Sequence, residues 1–154
     1  MHSHHSDLDR FDRAILGVLS TDGRISITDL AQRIGLSKTP TQARVRRLEG
    51  DGVITGYRAM LDPIRIGRDH VAFVEVKLSD TREAALGAFN DAVRKVPEIE
   101  QCHMLAASFD YLLKIRTADM HAYREVLASK LSTLPHVAQT STHVAMQAVK
   151  EGAL

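Results

Sequence analysis

The sequence predicts an α+β protein built in two parts, three helices followed by alternating strands and helices. Three observations carry this. Apolar residues recur at helical spacing through residues 7–20, 27–34 and 38–50. From residue 71 onward, two-residue alternation and helical periodicity take turns. The second part also repeats itself, since Val93 to Gln101 resembles Leu131 to Gln139 at an offset of 38 residues.

In the first part, Leu8, Phe11, Ile15 and Leu19 form one stripe, with Asp9, Arg10, Asp12 and Arg13 opposite it. Ser6 or Asp7 is the expected N-cap, and Thr21-Asp22-Gly23 ends the helix. Ser26 with Asp29 starts a second helix over 27–34 in the manner of a capping box, and Gly35 closes it. Ser37 is placed to cap a third helix over 38–50. Pro40 lies in its first turn, where a missing N–H costs nothing, and Thr41, Val45 and Leu48 face inward. Val53 through Leu61 reads as a short β-hairpin, or wing, and residues 62–69 as a connector.

In the second part, Ala72, Val74, Val76 and Leu78 share one side of a strand over 71–78. A helix is expected over 82–96, with Leu86, Phe89, Val93 and Val96 inward. Two strands follow over 99–106 and 110–116. A helix over 119–133 turns Met120, Tyr123, Leu127 and Leu131 inward, and a last strand spans 137–149. In both repeats a helix ends at an apolar-Pro pair and a strand begins. Two such units give βαββαβ, a ferredoxin-like arrangement with both helices on one sheet face. The other face then calls for a partner, which predicts a dimer.

Composition narrows the function. Hydrophobic residues make up 44% of 154, enough for a core, and the formal net charge is only +1. Affinity for a polyanion must therefore come from a local patch. The lone Cys102 cannot form an intrachain disulfide and suits a reducing, cytoplasmic setting, where it reads as a small buried hydrophobe. No run approaches the ~18–20 apolar residues of a membrane span, so no membrane partner is expected. Residues 1–6 read as a flexible tail rather than a signal peptide, and His2, His4 and His5 as chance chelators rather than a metal site. There is no phosphate-cradling Gly loop, no G-x-S-x-G and no paired His and carboxylate at metal spacing. No enzyme, cofactor or metal is expected. His103 and His143 read as neighbours in the sheet, too few ligands for a metal.

Three helices in 50 residues, with a short turn between the second and third, fit a helix-turn-helix. Thr39, Ala43, Arg46 and Arg47 lie opposite the apolar stripe of the third helix, flanked by Gln42 and Arg44. From Ser37 to Arg58 there are five basic residues and two acids. Small and polar side chains at the helix N-terminus suit base edges in a major groove, and the cations suit phosphates. An interaction module acting on protein partners is the alternative. It would expose an apolar face on this helix, where the sequence has Arg46 and Arg47.

The chain resembles a known family on motifs running in order along it. These are Leu8-Asp9 with Asp12, Asp22-Gly23-Arg24-Ile25-Ser26, Gly35-Leu36-Ser37, Arg44-Val45-Arg46-Arg47-Leu48-Glu49 and Gly52-Val53-Ile54-Thr55-Gly56-Tyr57. Phe109-Asp110-Tyr111-Leu112-Leu113-Lys114 and Asp119-Met120-His121-Ala122-Tyr123 continue the match, which ends at Thr142 and Val149-Lys150. Together they resemble the leucine-responsive regulator/AsnC (feast/famine) family of transcriptional regulators. Leu36 to Pro40 with Gln42-Ala43-Arg44 is similar to the branch that regulates proline utilisation.

The resemblance implies a winged helix-turn-helix DNA-binding domain over 7–61, a linker over 62–69, and a ferredoxin-like effector-binding and oligomerisation domain over 70–150. It implies contacts to double-stranded DNA from Ser37, Lys38, Thr39, Pro40, Gln42, Ala43, Arg46 and Arg47. It further implies a small amino-acid effector, proline first among them, held around Leu105, Ala106, Ala107, Ser108, Asp110 and Tyr111. Thr140 and Thr142 offer hydroxyls on the last strand. The implied assembly is a homodimer, built up to a tetramer or octamer. Ala107 stands where the family usually has Gly. Either this turn has an ordinary backbone conformation or the ligand approaches differently.

Overall fold

The computed structural model describes residues 8–152, which divide into two compact units, one ending at Met60 and the other running Leu61–Gly152. The first contains α1 (Arg10–Leu19), α2 (Ile27–Ile34) and α3 (Lys38–Gly50). Asp9 is the N-cap of helix α1, where a reciprocal capping box forms. The Asp12 amide donates to Asp9 Oδ1 at 2.9 Å and the Asp9 amide to Asp12 Oδ2 at 3.2 Å. The caps expected at Ser6 and Asp7 lie outside the described residues. Helix α2 has the expected bounds. Ser26 accepts the Asp29 amide at 3.0 Å, and Gly35 turns left-handed at φ 73°.

Ser37 occupies the N-cap position of α3 with extended backbone but makes no side-chain cap. Instead the Thr41 hydroxyl donates to the Ser37 carbonyl at 2.9 Å. Ile15, Leu30, Val45 and Leu48 form the core that joins the three helices, and Ile25, Ile34, Val53 and Ile54 pack around it. The wing segment has no strand pairing here. The amides of Val53 and Ile54 both donate to the Leu48 carbonyl, and residues 55–60 continue without ladder bonds. An isolated two-stranded ribbon is marginal in water, and here core packing of Val53 and Ile54 replaces it. In the second unit, the expected connector opens with a capped turn. The Asp62 carboxylate accepts the amides of Ile64 and Arg65.

The second unit runs β1 (His70–Leu78), α4 (Glu83–Val93), β2 (Ile99–Met104), β3 (Tyr111–Thr117) and α5 (Met120–Ser129). A 3-10 turn (Leu131–Thr133) and β4 (Val137–Val144) complete it. The sheet order is β2-β3-β1-β4 with every neighbour antiparallel, the ferredoxin-like arrangement. Ala72, Val74, Val76 and Leu78 are all buried, as the alternation requires. They meet Phe89 and Val93 of α4 and Tyr123 and Val126 of α5 on one face.

Several elements are shorter than expected. Helix α4 stops at Val93, ahead of Pro97, and β4 stops at Val144 rather than 149. Met120 is 47% exposed instead of inward, because it opens α5 directly after its cap, Asp119. Val126 takes the core position instead. The uncovered sheet face is charged. The Arg116 Nε donates to Glu100 at 2.5 Å, Glu151 closes on Lys114 and Arg116, and His143 lies 3.2 Å from Glu75.

Candidate DNA interface and effector region

Three residues separate α2 from α3. The Leu36 amide closes back on the Ala31 carbonyl at 3.0 Å, so the direction in which α3 leaves is set locally. Ser37, Lys38, Thr39, Pro40, Ala43, Arg46 and Arg47 are exposed, Gln42 and Arg44 are half-buried, and Thr41, Val45 and Leu48 are buried. The helix therefore presents the face the sequence predicted. Its first amides have no intrahelical acceptor, and the Ser37 hydroxyl makes no cap, so this end offers donors.

The cations on that face are not equivalent. Arg44 Nη1 donates to Asp9 Oδ2 at 2.7 Å and to Asp12 Oδ1 at 2.8 Å, and Arg47 Nη2 donates to Asp12 Oδ1 at 2.6 Å. Asp12 is 1% exposed. Arg44 also lies over the Phe11 ring, 5.5 Å from its centroid. Arg47, expected to meet DNA, is thus tied to a buried acid, because α1 brings Asp12 under α3. Lys38 and Arg46 have no ion pair among the described residues. Burial pushes the Asp12 carboxyl up, but hydrogen bonds from Arg47, Arg44 and the Asp9 amide outweigh it and hold the carboxyl below its ordinary value. The Asp12 amide and Arg44 similarly lower Asp9. The sequence placed both acids on the solvated side of α1. Their three-residue spacing at the start of the helix was the available signal.

The residues expected around an effector do not form one cluster. Leu105 through Ser108 form an exposed bend closed by the Leu105 amide on the Asp110 carbonyl at 2.9 Å. The φ of Ala107 is not positive, so the bend needs no glycine there. Asp110 is engaged in the fold. Its Oδ2 accepts the Leu78 amide at 2.7 Å, and its own amide donates to the Val76 carbonyl at 2.9 Å. Tyr111 is 2% exposed, with its ring 4.5 Å from that of Phe89. Burial raises its phenol, and its hydroxyl has no partner in hydrogen-bond geometry, with Asn90 close by. Thr142, half-buried on β4, is hydrogen-bonded to the hydroxyl of the core residue Tyr123. Thr140 pairs with Val76, which pairs in turn with Tyr111, so it sits two strand spacings (roughly 10 Å) from Tyr111.

A hollow of about 450 Å³ lies between α4 and β2, lined by Asn90, Val93, Arg94, Ile99, Cys102 and Tyr111 among others. Tyr111 alone of the expected effector residues lines it. Burial raises the Cys102 thiol above its ordinary value, in keeping with an inert small hydrophobe. His103 and His143 are not neighbours, because β2 and β4 are opposite edges of the sheet with β3 and β1 between them. No cluster of three metal-binding side chains occurs among the described residues. His2, His4 and His5 lie outside them.

Comparison with known proteins accounts for both units. A model of the Lrp/AsnC ligand binding domain matches residues 71–154, and one for a winged helix-turn-helix DNA-binding domain matches residues 8–55. The chain is similar to the proline dehydrogenase transcriptional activator of Rhizobium radiobacter. The two are 60% identical over 145 residues, covering 94% of this chain and 93% of that protein. Among solved structures it is similar to an AsnC family transcriptional regulator from Agrobacterium tumefaciens. The TM-score is 0.90 at 30% identity, over 95% of each chain. It is also similar to a transcriptional regulator from Neisseria meningitidis solved in complex with L-Met, with a TM-score of 0.87 at 30% identity over 94% of each. The chain belongs to the Lrp/AsnC family, whose members are DNA-binding transcriptional regulators and not enzymes.

Proposed function

We propose that this protein acts in the cytoplasm as a regulator of amino-acid catabolism, switching a proline dehydrogenase gene in response to proline. The observation that carries it is the exposed cationic face of α3, on a helix-turn-helix of a chain 60% identical to a proline dehydrogenase activator. Two copies in a homodimer, further assembled into a tetramer or octamer, would set two α3 helices into successive major grooves about one helical turn apart. Lys38 and Arg46 would neutralise phosphates, while Ser37, Thr39, Pro40, Gln42 and Ala43 would approach base edges or the adjoining backbone. An exposed helix with these side chains suits a duplex better than an apolar protein partner.

The amino acid would bind near the bend Leu105 to Ser108, with Asp110 and Tyr111 beside it, while Thr140 and Thr142 lie further off across β1. The L-Met complex of the Neisseria relative supports an amino acid of some kind. Asp110 and Thr142 are already bonded, so direct contact is carried by the exposed bend and its neighbours. An effector shifts DNA affinity only by its differential affinity for the free and DNA-bound forms.

The test is a binding titration with a duplex from upstream of a proline dehydrogenase gene, with and without proline. A proline-dependent change in affinity, absent for a scrambled duplex, is the expected result. Binding that ignores both sequence and every amino acid of a panel would overturn the proposal.

A further inference from the structure

We infer that Asp12 is a specificity-determining residue for DNA binding, an internal stand-in for phosphate that keeps Arg44 and Arg47 off the duplex backbone. This rests on α3 being the DNA-reading helix. Asp12 is 1% exposed and accepts from two guanidinium groups at 2.8 and 2.6 Å and from the Asp9 amide at 3.2 Å. A buried carboxylate needs such donors, so it holds the arginines firmly. Asp9 adds a second acceptor for Arg44 at 2.7 Å, and the Phe11 ring lies under the same guanidinium.

The effect on local charge is large. Helix α3 carries four cations, Lys38, Arg44, Arg46 and Arg47, against one acid, Glu49. Asp9 and Asp12 cancel two of those cations where α1 meets α3. A cleft at that junction is lined by Asp9, Asp12, Pro40, Ala43, Arg44 and Arg47, so the neutralised pair lies at the surface and not in the deep core. The side chain of Arg47 is still 44% exposed, within reach of a phosphate were it released.

Affinity for any DNA comes from phosphate neutralisation and counterion release, whereas discrimination comes from base edges. Cations bound to an internal carboxylate release few counterions. Asp12 thus lowers sequence-independent affinity more than sequence-specific affinity, and so widens the ratio between them.

The experiment uses the full-length protein with a duplex selected by it from a random pool and a scrambled duplex of equal length. Binding is followed by fluorescence anisotropy across a salt series. Asp12→Asn should steepen the slope of log affinity against log salt by about one unit per freed arginine. With the freed contact adding nothing at 1 M salt, that slope raises affinity for the scrambled duplex by roughly eightfold per freed arginine at 0.1 M salt. Arg46→Gln should flatten the slope by about one unit, while Arg47→Gln should leave it unchanged. A slope for Asp12→Asn equal to that of the parent, or a flattening by Arg47→Gln that matches Arg46→Gln, overturns the inference. Circular dichroism checks the fold of each variant. Should Asp12→Asn fail to fold, the comparison of Arg46→Gln with Arg47→Gln decides alone. A parent protein that binds neither duplex refutes the reading of α3 itself. A parent that binds while Arg47→Gln flattens the salt slope as far as Arg46→Gln does refutes only the role of Asp12.

Discussion

The Asp110 carboxylate accepts the backbone amide of Leu78 at 2.7 Å, tying the bend between β2 and β3 to the end of β1. The family resemblance implies a ligand contact at this residue, and in the fold its carboxylate also clamps the bend. Asp110→Ala should destabilise the second unit by about 1.5–3 kcal/mol, the range for a hydrogen bond to a charged group. Urea denaturation in the absence of any amino acid measures it. An unchanged midpoint would show that this bond does not hold the second unit together.

Ala107 should behave as an ordinary turn residue. Its φ is not positive, so Ala107→Gly relieves no strain and only loosens the unfolded chain. A loss of about 0.4–1 kcal/mol is expected. Calorimetry with proline on both proteins would show in parallel whether the missing glycine matters for ligand approach.

His136 is the non-glycine residue with positive φ among those described, at 62°. The left-handed region costs an ordinary side chain roughly 1 kcal/mol, and Asn tolerates it better. His136→Asn should therefore raise the melting temperature slightly. A fall would mean that the imidazole makes a contact outweighing the strain.

Acid should weaken the first unit through Asp9 and Asp12. Both carboxyls lie below their ordinary value of 3.8 in the folded protein. The unfolded chain therefore binds protons first as pH falls. The stabilisation is complete above the unfolded value and is lost as pH drops below about 4 through the folded values. Thermal melts of the parent and Asp12→Asn between pH 7 and 3 should converge at the acid end. Parallel curves would remove this pair from the acid response.

Phe89 is fully buried against Tyr111, their ring centroids 4.5 Å apart. Phe89→Ala should cost about 3–5 kcal/mol, as for other large buried aromatics cut to alanine. Far-UV circular dichroism during denaturation reports it, since the chain has no tryptophan. A cost below 1 kcal/mol would show that α4 is not anchored there.

Periodicity alone placed α2 and α3 within their observed bounds and set Ala72, Val74, Val76 and Leu78 on the core face. Each of those assignments depends on neighbours a few residues away, where helix and strand repeats differ plainly. The exposed face of α3 followed from the same arithmetic. The ends of α4 at Val93 and of β4 at Val144 did not, because periodicity marks which face is buried and not where the backbone hydrogen bonding ends. The hairpin expected over Val53 to Leu61 did not form for a related reason. Val53 and Ile54 have strand-forming side chains, and the helical core takes them.

Long-range pairing lay beyond the sequence. That Arg47 meets Asp12, that Thr142 bonds Tyr123 and that His103 and His143 sit on opposite edges each join residues far apart in the chain. The chain's own residues determined which segments become helix or strand, and which face of α3 is cationic. Only the tertiary structure decided which of those cations meet an acid, because ion pairing depends on distances of a few ångströms that the packing of α1 against α3 creates.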